Sequence, residues 1–181
     1  MSTARELNGT YELDATHSSV AFSIGHMSLS TFHASFGDVE ARLVADGARL
    51  ALEGRTRAES VSIGEPAEFR EHVVHGQDFL HARSHPELTF TSRAVELRRD
   101  GAATVRGELA IRGIARDVVL EGRYRGPIRD PFGGERVALA LRATVDRRAW
   151  EMDWQMELPE GGDALGWDVD VSADLELVKA A

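Results

Sequence analysis

Four of the seven histidines, His72, His75, His81 and His85, crowd into one short stretch with Glu68 and Glu71 among them. His72 and His75 are three apart. Glu68 and His72, and Glu71 and His75, are four apart, so on a helix these pairs share a face. Imidazole and carboxylate groups at such spacing can hold a transition metal. The order is neither His-Glu-x-x-His nor its inverse, and the chain has no cysteine to complete a thiolate site. The stretch therefore reads as a solvated polar helix face with His–Glu pairs, and no dedicated metal is expected there.

A second set, Asp14, His17 and Ser18 with His26 further on, has the residue types of acyl transfer. A serine nucleophile needs a strained elbow that exposes it and donors for an oxyanion, and no Gly-x-Ser-x-Gly occurs. His17 and Ser18 are thus expected to tie off strand ends by hydrogen bonds, and no catalytic set is assigned. His26 shares a face with Ile24, either as a core residue or as a polar contact at the mouth of a channel. Trp150, Trp154 and Trp167 each join a large apolar body to one donor; they suit barrel-end packing or the wall of a channel. Gly133-Gly134 and Gly161-Gly162 read as turns, not as phosphate loops.

The elements that must position these residues are strands. Leu109 and Ile111 alternate with polar or small residues, Gly113 interrupts, and Val118, Leu120, Gly122 and Tyr124 alternate again: two half-buried strands and a tight turn. Val20, Phe22, Ile24 and His26 share a face. Phe32, Ala34 and Phe36 are in phase, and Val39, Ala41 and Leu43 follow with opposite parity, which places a bend at Gly37-Asp38. Leu50, Leu52, Gly54, Thr56 and Ala58 continue the rhythm, as do Leu88, Phe90 and Ser92. Val137, Leu139, Leu141, Ala143 and Val145 form the longest clean repeat. Trp167, Val169, Val171, Ala173, Leu175 and Leu177 close the chain. Pro66 to Gly76 alone breaks the pattern. Phe69 and Val73 lie four apart, Ser62 and Glu65 suit a capping box, Pro66 a first turn and Gly76 an end, so one short helix is predicted.

These elements predict an all-β fold over residues 1–181 as one domain: an antiparallel barrel of about eight strands, or a sandwich, with one helix. The inward faces carry many small residues (Ala34, Gly54, Ala58, Gly107, Gly122, Ala143), which leaves volume inside. A barrel of this size either fills with side chains or holds one small ligand. The composition, 43% hydrophobic and 28% charged, is that of a globular protein, and the formal net charge of −9 argues against nucleic acid or anionic lipid as partner. No apolar run approaches the roughly 20 residues that span a bilayer as a helix, so no stable membrane insertion is expected. Met1 to Asn8 lacks a basic region followed by an apolar stretch, and a cytoplasmic location is expected.

The ordered blocks Tyr11-Glu-Leu-Asp14-Ala-Thr-His17-Ser18-Ser-Val20-Ala-Phe22, Phe36-Gly37, Ser60-Val-Ser-Ile63-Gly64, Gln77-Asp78-Phe79-Leu80-His81, His85-Pro86-Glu-Leu-Thr89-Phe90, Gly107-Glu-Leu109-Ala-Ile111, Val145-Asp-Arg147-Arg-Ala149-Trp150 and Val169-Asp-Val171 cover nearly the whole chain. In this order they resemble the YceI-like family of bacterial lipocalin-like barrels. The helical loop carries Arg70-Glu71 where the family has Arg-Asp, and the third strand carries Ala34 where the family has Gly. The resemblance implies an extended eight-stranded antiparallel lipocalin-like barrel with an internal hydrophobic channel, no cofactor and no catalytic motif. The ligand implied is a polyisoprenoid, an isoprenoid quinone or a fatty-acyl compound. The residues expected to line the channel are Phe22, Ile24, His26, Phe36, Phe90, Leu109, Ile111, Leu120, Leu141, Ala143, Trp150 and Trp154. Each buried methylene is worth roughly 0.8 kcal/mol, so a ten-carbon tail supplies on the order of 8 kcal/mol before ordering costs, without a charged anchor. Two other readings stay open: an enzyme that acts on a lipophilic substrate with His17, His26 or the His72–His85 group as acid or base, and a filled barrel that acts only as an interaction module. Unpaired strand edges suit a homodimer.

Overall fold

A computed structural model describes residues 7–181. Ten strands and one helix follow in the order β1 (Gly9–Leu13), β2 (Ser19–His26), β3 (Ser30–Phe36), β4 (Val39–Asp46), β5 (Arg49–Arg57), α1 (Ala67–His75), β6 (Glu87–Leu97), β7 (Ala102–Ile111), β8 (Ile114–Arg129), β9 (Glu135–Asp146) and β10 (Leu165–Lys179). They form one antiparallel sheet in which β1 pairs with both β4 and β10, which closes it on itself. Two long strands are each broken once. β1 and β2 run in succession along β10, separated by a turn at Asp14–Ser18, and β3 and β4 run alongside them, separated by the bend at Gly37-Asp38. The ten strands therefore occupy eight positions around the barrel, as the alternation predicts.

Cross-strand pairing explains why the alternation is so regular. One face of each strand points to the barrel interior and the other to water. The outward positions carry exposed ion pairs, Arg55 with Glu40, Arg42 with Glu53, Arg93 with Glu108 and Asp117, and Arg106 with Glu96, each worth little to stability. At the β7–β8 turn, Arg112 (φ 55°) and Gly113 (φ 70°) are both left-handed. This two-residue hairpin geometry matches the twist of the strands and fixes the Ile111–Ile114 register.

The interior divides along the barrel axis. Around β1, Tyr11, Leu43, Val105, Val137, Leu139, Leu141 and Leu177 pack solidly, each at most 2% exposed. The Tyr11 hydroxyl donates to the Glu135 carboxylate at 2.6 Å; burial, with this hydrogen bond, raises the phenol above its ordinary pKa. At the other end a second cluster joins Ala34, Val61, Ile63, Val73, Val74, Leu80, Ile111 and Trp150 around α1. There β3 has β2 on one side but, among the described residues, no strand on the other, and the segment between β5 and β6 covers that edge: Ser62 accepts from Ser35 N–H and donates its own N–H to the Ser35 carbonyl, while Gly37 N–H donates to the Ser60 carbonyl.

These bonds correct the expected capping box. Ser62 belongs to β3 rather than to the helix, and Pro66 is the N-cap with no side-chain hydrogen bond. Gly76 does end α1; a Cβ there would lie 2.4 Å from the His72 carbonyl. Arg70 holds the segment together, donating to the carbonyls of Glu59, Val61 and Ile63 at 2.7–3.0 Å.

Candidate functional site

Between the two clusters lies a cavity of ≈ 690 Å³, within the range of small-molecule sites. Its floor is formed by Ala41, Leu52, Leu141 and Leu175, its middle by Phe22, Phe36, Phe90, Leu109, Leu120 and Ala143. Towards α1 its wall is Ile24, His26, Phe69, His72, Trp154 and Met156. Below the floor the interior is filled by the packed cluster around β1. Gly54 contributes no side chain to the wall, and Gly107 lies so close to Phe90 that a Cβ would meet the ring at 2.7 Å. The small inward residues therefore do two things: some leave space, others let large rings approach the backbone.

Eleven of the twelve expected wall residues lie on this cavity: Phe22, Ile24, His26, Phe36, Phe90, Leu109, Ile111, Leu120, Leu141, Ala143 and Trp154. Trp150 does not. It is 2% exposed in the cluster beneath α1, and its Nε1 donates to the Leu109 carbonyl at 3.1 Å, so its donor is spent on the backbone of β7. Trp167 departs from its expected inward repeat because β10 shifts register between Leu165 and Val169. Its ring lies under the guanidinium groups of Arg147 and Arg148, 4.2 and 4.7 Å from their centres, and its Nε1 donates to Asp163.

Beside α1, Phe32 meets Phe69 edge-on at 5.7 Å, and Phe79 stacks on Trp154 at 5.7 Å. His72 stands edge-on to both Phe79 and Trp154, with Nε2 3.0 Å from the Asp78 carboxylate. The other histidines of the group go elsewhere. His75 lies 3.8 Å from Glu71, and His81 faces Ser84 and the ring of His85. Of the four, His72 alone lines the cavity.

Asp14, His17 and Ser18 lie on the outside of the barrel beside β10. His17 Nδ1 is 2.9 Å from Asp14, but Ser18 Oγ accepts from Glu176 N–H at 2.9 Å rather than facing the imidazole. Asp14, His17 and Glu176 converge closely enough to bind a metal, yet Arg136 already donates to Asp14 and Glu176 at 2.7 Å and to Asp130 at 2.7 Å. That guanidinium holds Asp14 and Asp130 well below the usual carboxylate range, and Asp14 raises His17 above the usual imidazole value. The group is a strand-end ion network.

Several wall residues lie outside the expected set, Phe32, Phe69, Phe79 and Met152 among them, and one of these is charged and buried. Arg147 is 2% exposed and forms part of the cavity wall. Its signal was present: it continues the inward parity of Val137 to Val145. Its Nε donates to the Gly166 carbonyl at 2.8 Å and its Nη1 to the Met152 carbonyl at 2.5 Å. Burial pushes its pKa down, while the nearby negative charges of Asp146, Asp153 and Asp163 act in the opposite sense.

Comparison with known proteins agrees with this geometry. A family model described as a YceI-like domain matches residues 11–177. A UPF0312 protein of Pseudomonas putida is 25% identical over 96% of this chain and 90% of its own length. Among solved structures, BcnA of Burkholderia cenocepacia is similar with a TM-score of 0.73 and 19% identity, over 91% of this chain and 98% of that one. A polyisoprenoid binding domain from Saccharophagus degradans, implicated in plant cell wall breakdown, is similar with a TM-score of 0.65 and 14% identity, over 94% and 98%.

Proposed function

Because the chain belongs to the YceI-like family, we propose that its barrel binds one long-chain apolar molecule without changing it chemically. The candidates are a polyisoprenoid, an isoprenoid quinone or a fatty-acyl compound. The observation that carries this reading is the ≈ 690 Å³ cavity, whose wall is overwhelmingly apolar and reaches Phe69, His72 and Val73 of α1. An apolar tail placed there leaves water for a dry wall, the largest favourable term available to it. The Saccharophagus domain, similar in fold, supports the ligand class through what it is described as binding.

Organic extraction of protein purified without added detergent, followed by mass spectrometry, tests the reading. A long-chain compound at about one per chain is expected. Protein that yields none, and that binds no long-chain probe afterwards, overturns it. A second reading has one specific observation in its favour: His72, on the wall and paired with Asp78, has the arrangement of a general base. Turnover of a bound lipophile that is lost in His72→Gln would replace the carrier reading with an enzymatic one.

A further inference from the structure

Of the seven large apolar side chains that stand exposed among the described residues, four gather at one place on the cavity. Met27, Phe69 and Met156 line the cavity and are nevertheless 43%, 39% and 60% exposed, so its wall here reaches the outer surface. Leu29, 84% exposed, lies two residues beyond Met27 in the turn between β2 and β3. Hydrogen bonds set these elements side by side. Met27 N–H donates to the Ala164 carbonyl at 2.8 Å, and Ala164 N–H donates to the Met156 carbonyl at 2.9 Å. Phe69 meets the same hairpin from α1, its ring edge-on to Phe32. The turn passes through Met27 and Ser28 in left-handed backbone, φ 53° and 52°, which residues other than glycine rarely adopt. Single apolar side chains scattered on a surface need no explanation, but a contiguous set that continues the wall of an apolar cavity marks a contact site.

Resting on the carrier reading above, we propose that this rim docks on the surface of an electroneutral phospholipid bilayer, from which the apolar ligand enters the barrel. A long tail that leaves a bilayer through water exposes its methylenes on the way. With Met27, Leu29, Phe69 and Met156 seated at the boundary of the acyl chains, the tail passes from lipid to the cavity wall without that exposure. Shallow burial of a few large apolar side chains is how peripheral proteins hold an interface, and the flexible thioethers of Met27 and Met156 adapt to a passing chain. Charge selects the surface. Residues 26–31, 65–72 and 151–163, which carry the rim, hold eight Asp and Glu against one Arg. That one, Arg70, is spent on backbone carbonyls. Arg112, Arg116 and Arg148, at the same end of the barrel, are engaged by the carbonyls of Glu151 and Ala149 and by the Asp146 carboxylate. Anionic lipid is therefore repelled, and so is a second copy of this chain that presents the same carboxylates.

Flotation with phosphatidylcholine vesicles tests the proposal. Wild-type protein should float with them. Replacing about a third of the lipid by phosphatidylglycerol should weaken binding at least threefold at low salt, and about 0.5 M salt should close that gap by screening. Leu29→Glu should weaken binding to phosphatidylcholine at least tenfold. Phe132→Glu makes the same change of charge at a 95% exposed residue in the β8–β9 turn, at the β1 end of the barrel, and should stay within twofold of wild type. Thermal unfolding checks that both variants fold. Their affinity for 1-dodecanol in vesicle-free buffer should equal that of wild type, since neither residue lies on the cavity wall. A further measurement needs no variant: phosphatidylcholine brominated on its acyl chains should quench wild-type tryptophan fluorescence, because Trp154 lies on the wall two residues from Met156. Wild type that stays off phosphatidylcholine, that binds only the anionic vesicles, or that shows no quenching would overturn the proposal and leave the carrier reading standing. So would full binding by folded Leu29→Glu, an equal loss in Phe132→Glu, or a dimer in sedimentation equilibrium that Leu29→Glu dissociates, which would make the rim a contact between copies. Failure of wild type to bind 1-dodecanol would bring down the carrier reading itself.

Discussion

Replacing Ala143 by Trp tests how deep the ligand goes. Ala143 pairs with Val171 midway along the cavity, and the floor lies at Leu175, four residues further along β10. At about 3.4 Å per residue and a strand tilt of roughly 40°, about 10 Å of depth lies below the substitution. An indole at that level crosses an interior only wide enough for side chains and closes off this lower part. A tail that loses on the order of six methylenes of burial, at about 0.8 kcal/mol each, loses about 5 kcal/mol, or roughly four-thousandfold in Kd. The assay is a series of alkyl probes from short to long, titrated against both proteins. Wild-type affinity should rise through the series, and that of Ala143→Trp should stop rising once the chain reaches the block. Overpacking costs about 1–3 kcal/mol of stability, so thermal unfolding is recorded in parallel. A folded Ala143→Trp protein with the wild-type dependence on chain length would show that the tail does not pass Ala143, and the argument from depth would fall.

Arg70→Met removes the donor that ties the carbonyls of Glu59, Val61 and Ile63 together. Leaving them short of a partner should cost about 1–3 kcal/mol, read as a lower Tm and faster amide exchange in residues 58–66. The Arg136 network predicts a pH dependence. Asp14 and Asp130 have folded-state pKa values below their unfolded ones, so their contribution is complete above about pH 4 and is lost as pH falls below it. His17, raised by Asp14, contributes fully below about pH 6.5 and loses its contribution as pH rises through its higher folded value. Denaturant titrations should therefore show an acid limb of stability that is shallower in Arg136→Met; identical limbs would refute the assignment. Elemental analysis of protein made without a nickel column should find no stoichiometric transition metal, and a near-equimolar metal lost in the His72→Ala, His75→Ala double variant would contradict the reading of the histidine group.

The barrel was legible because nearly every strand has one wet face, so a period of two recurs through β2, β5, β7, β8 and β9. The helix was legible from the break in that period and from Pro66 and Gly76. What the sequence hid has specific causes. Ser62 has the type of a helix cap, but the missing neighbour of β3 recruits it across space. A register shift in β10 carries Trp167 off the inward face, and alternation alone cannot reveal such a shift. Trp150 is as apolar as a wall residue; only its bond to the Leu109 carbonyl assigns it to packing. Arg147 was overlooked because a charged residue at the end of an apolar repeat reads as the first residue of a turn, although its parity places it inside.

The closure of the sheet through β1 has a consequence for how the chain reaches this shape. β1 is wedged between β4 and β10, so the barrel is sealed by residues from opposite ends of the chain: Tyr11 against Lys179, Leu13 against Leu177. During synthesis the hairpins from β4 to β9 can assemble as they emerge, but β9 keeps an open edge until β10 is complete. Until then the surface destined to enclose a ligand faces outward. Pairing so distant in sequence is slow, and incomplete sheets with exposed edges and apolar faces aggregate. The last step of assembly creates both the finished barrel and its pocket, so a chain shortened before Leu177 should lose solubility rather than merely lose affinity.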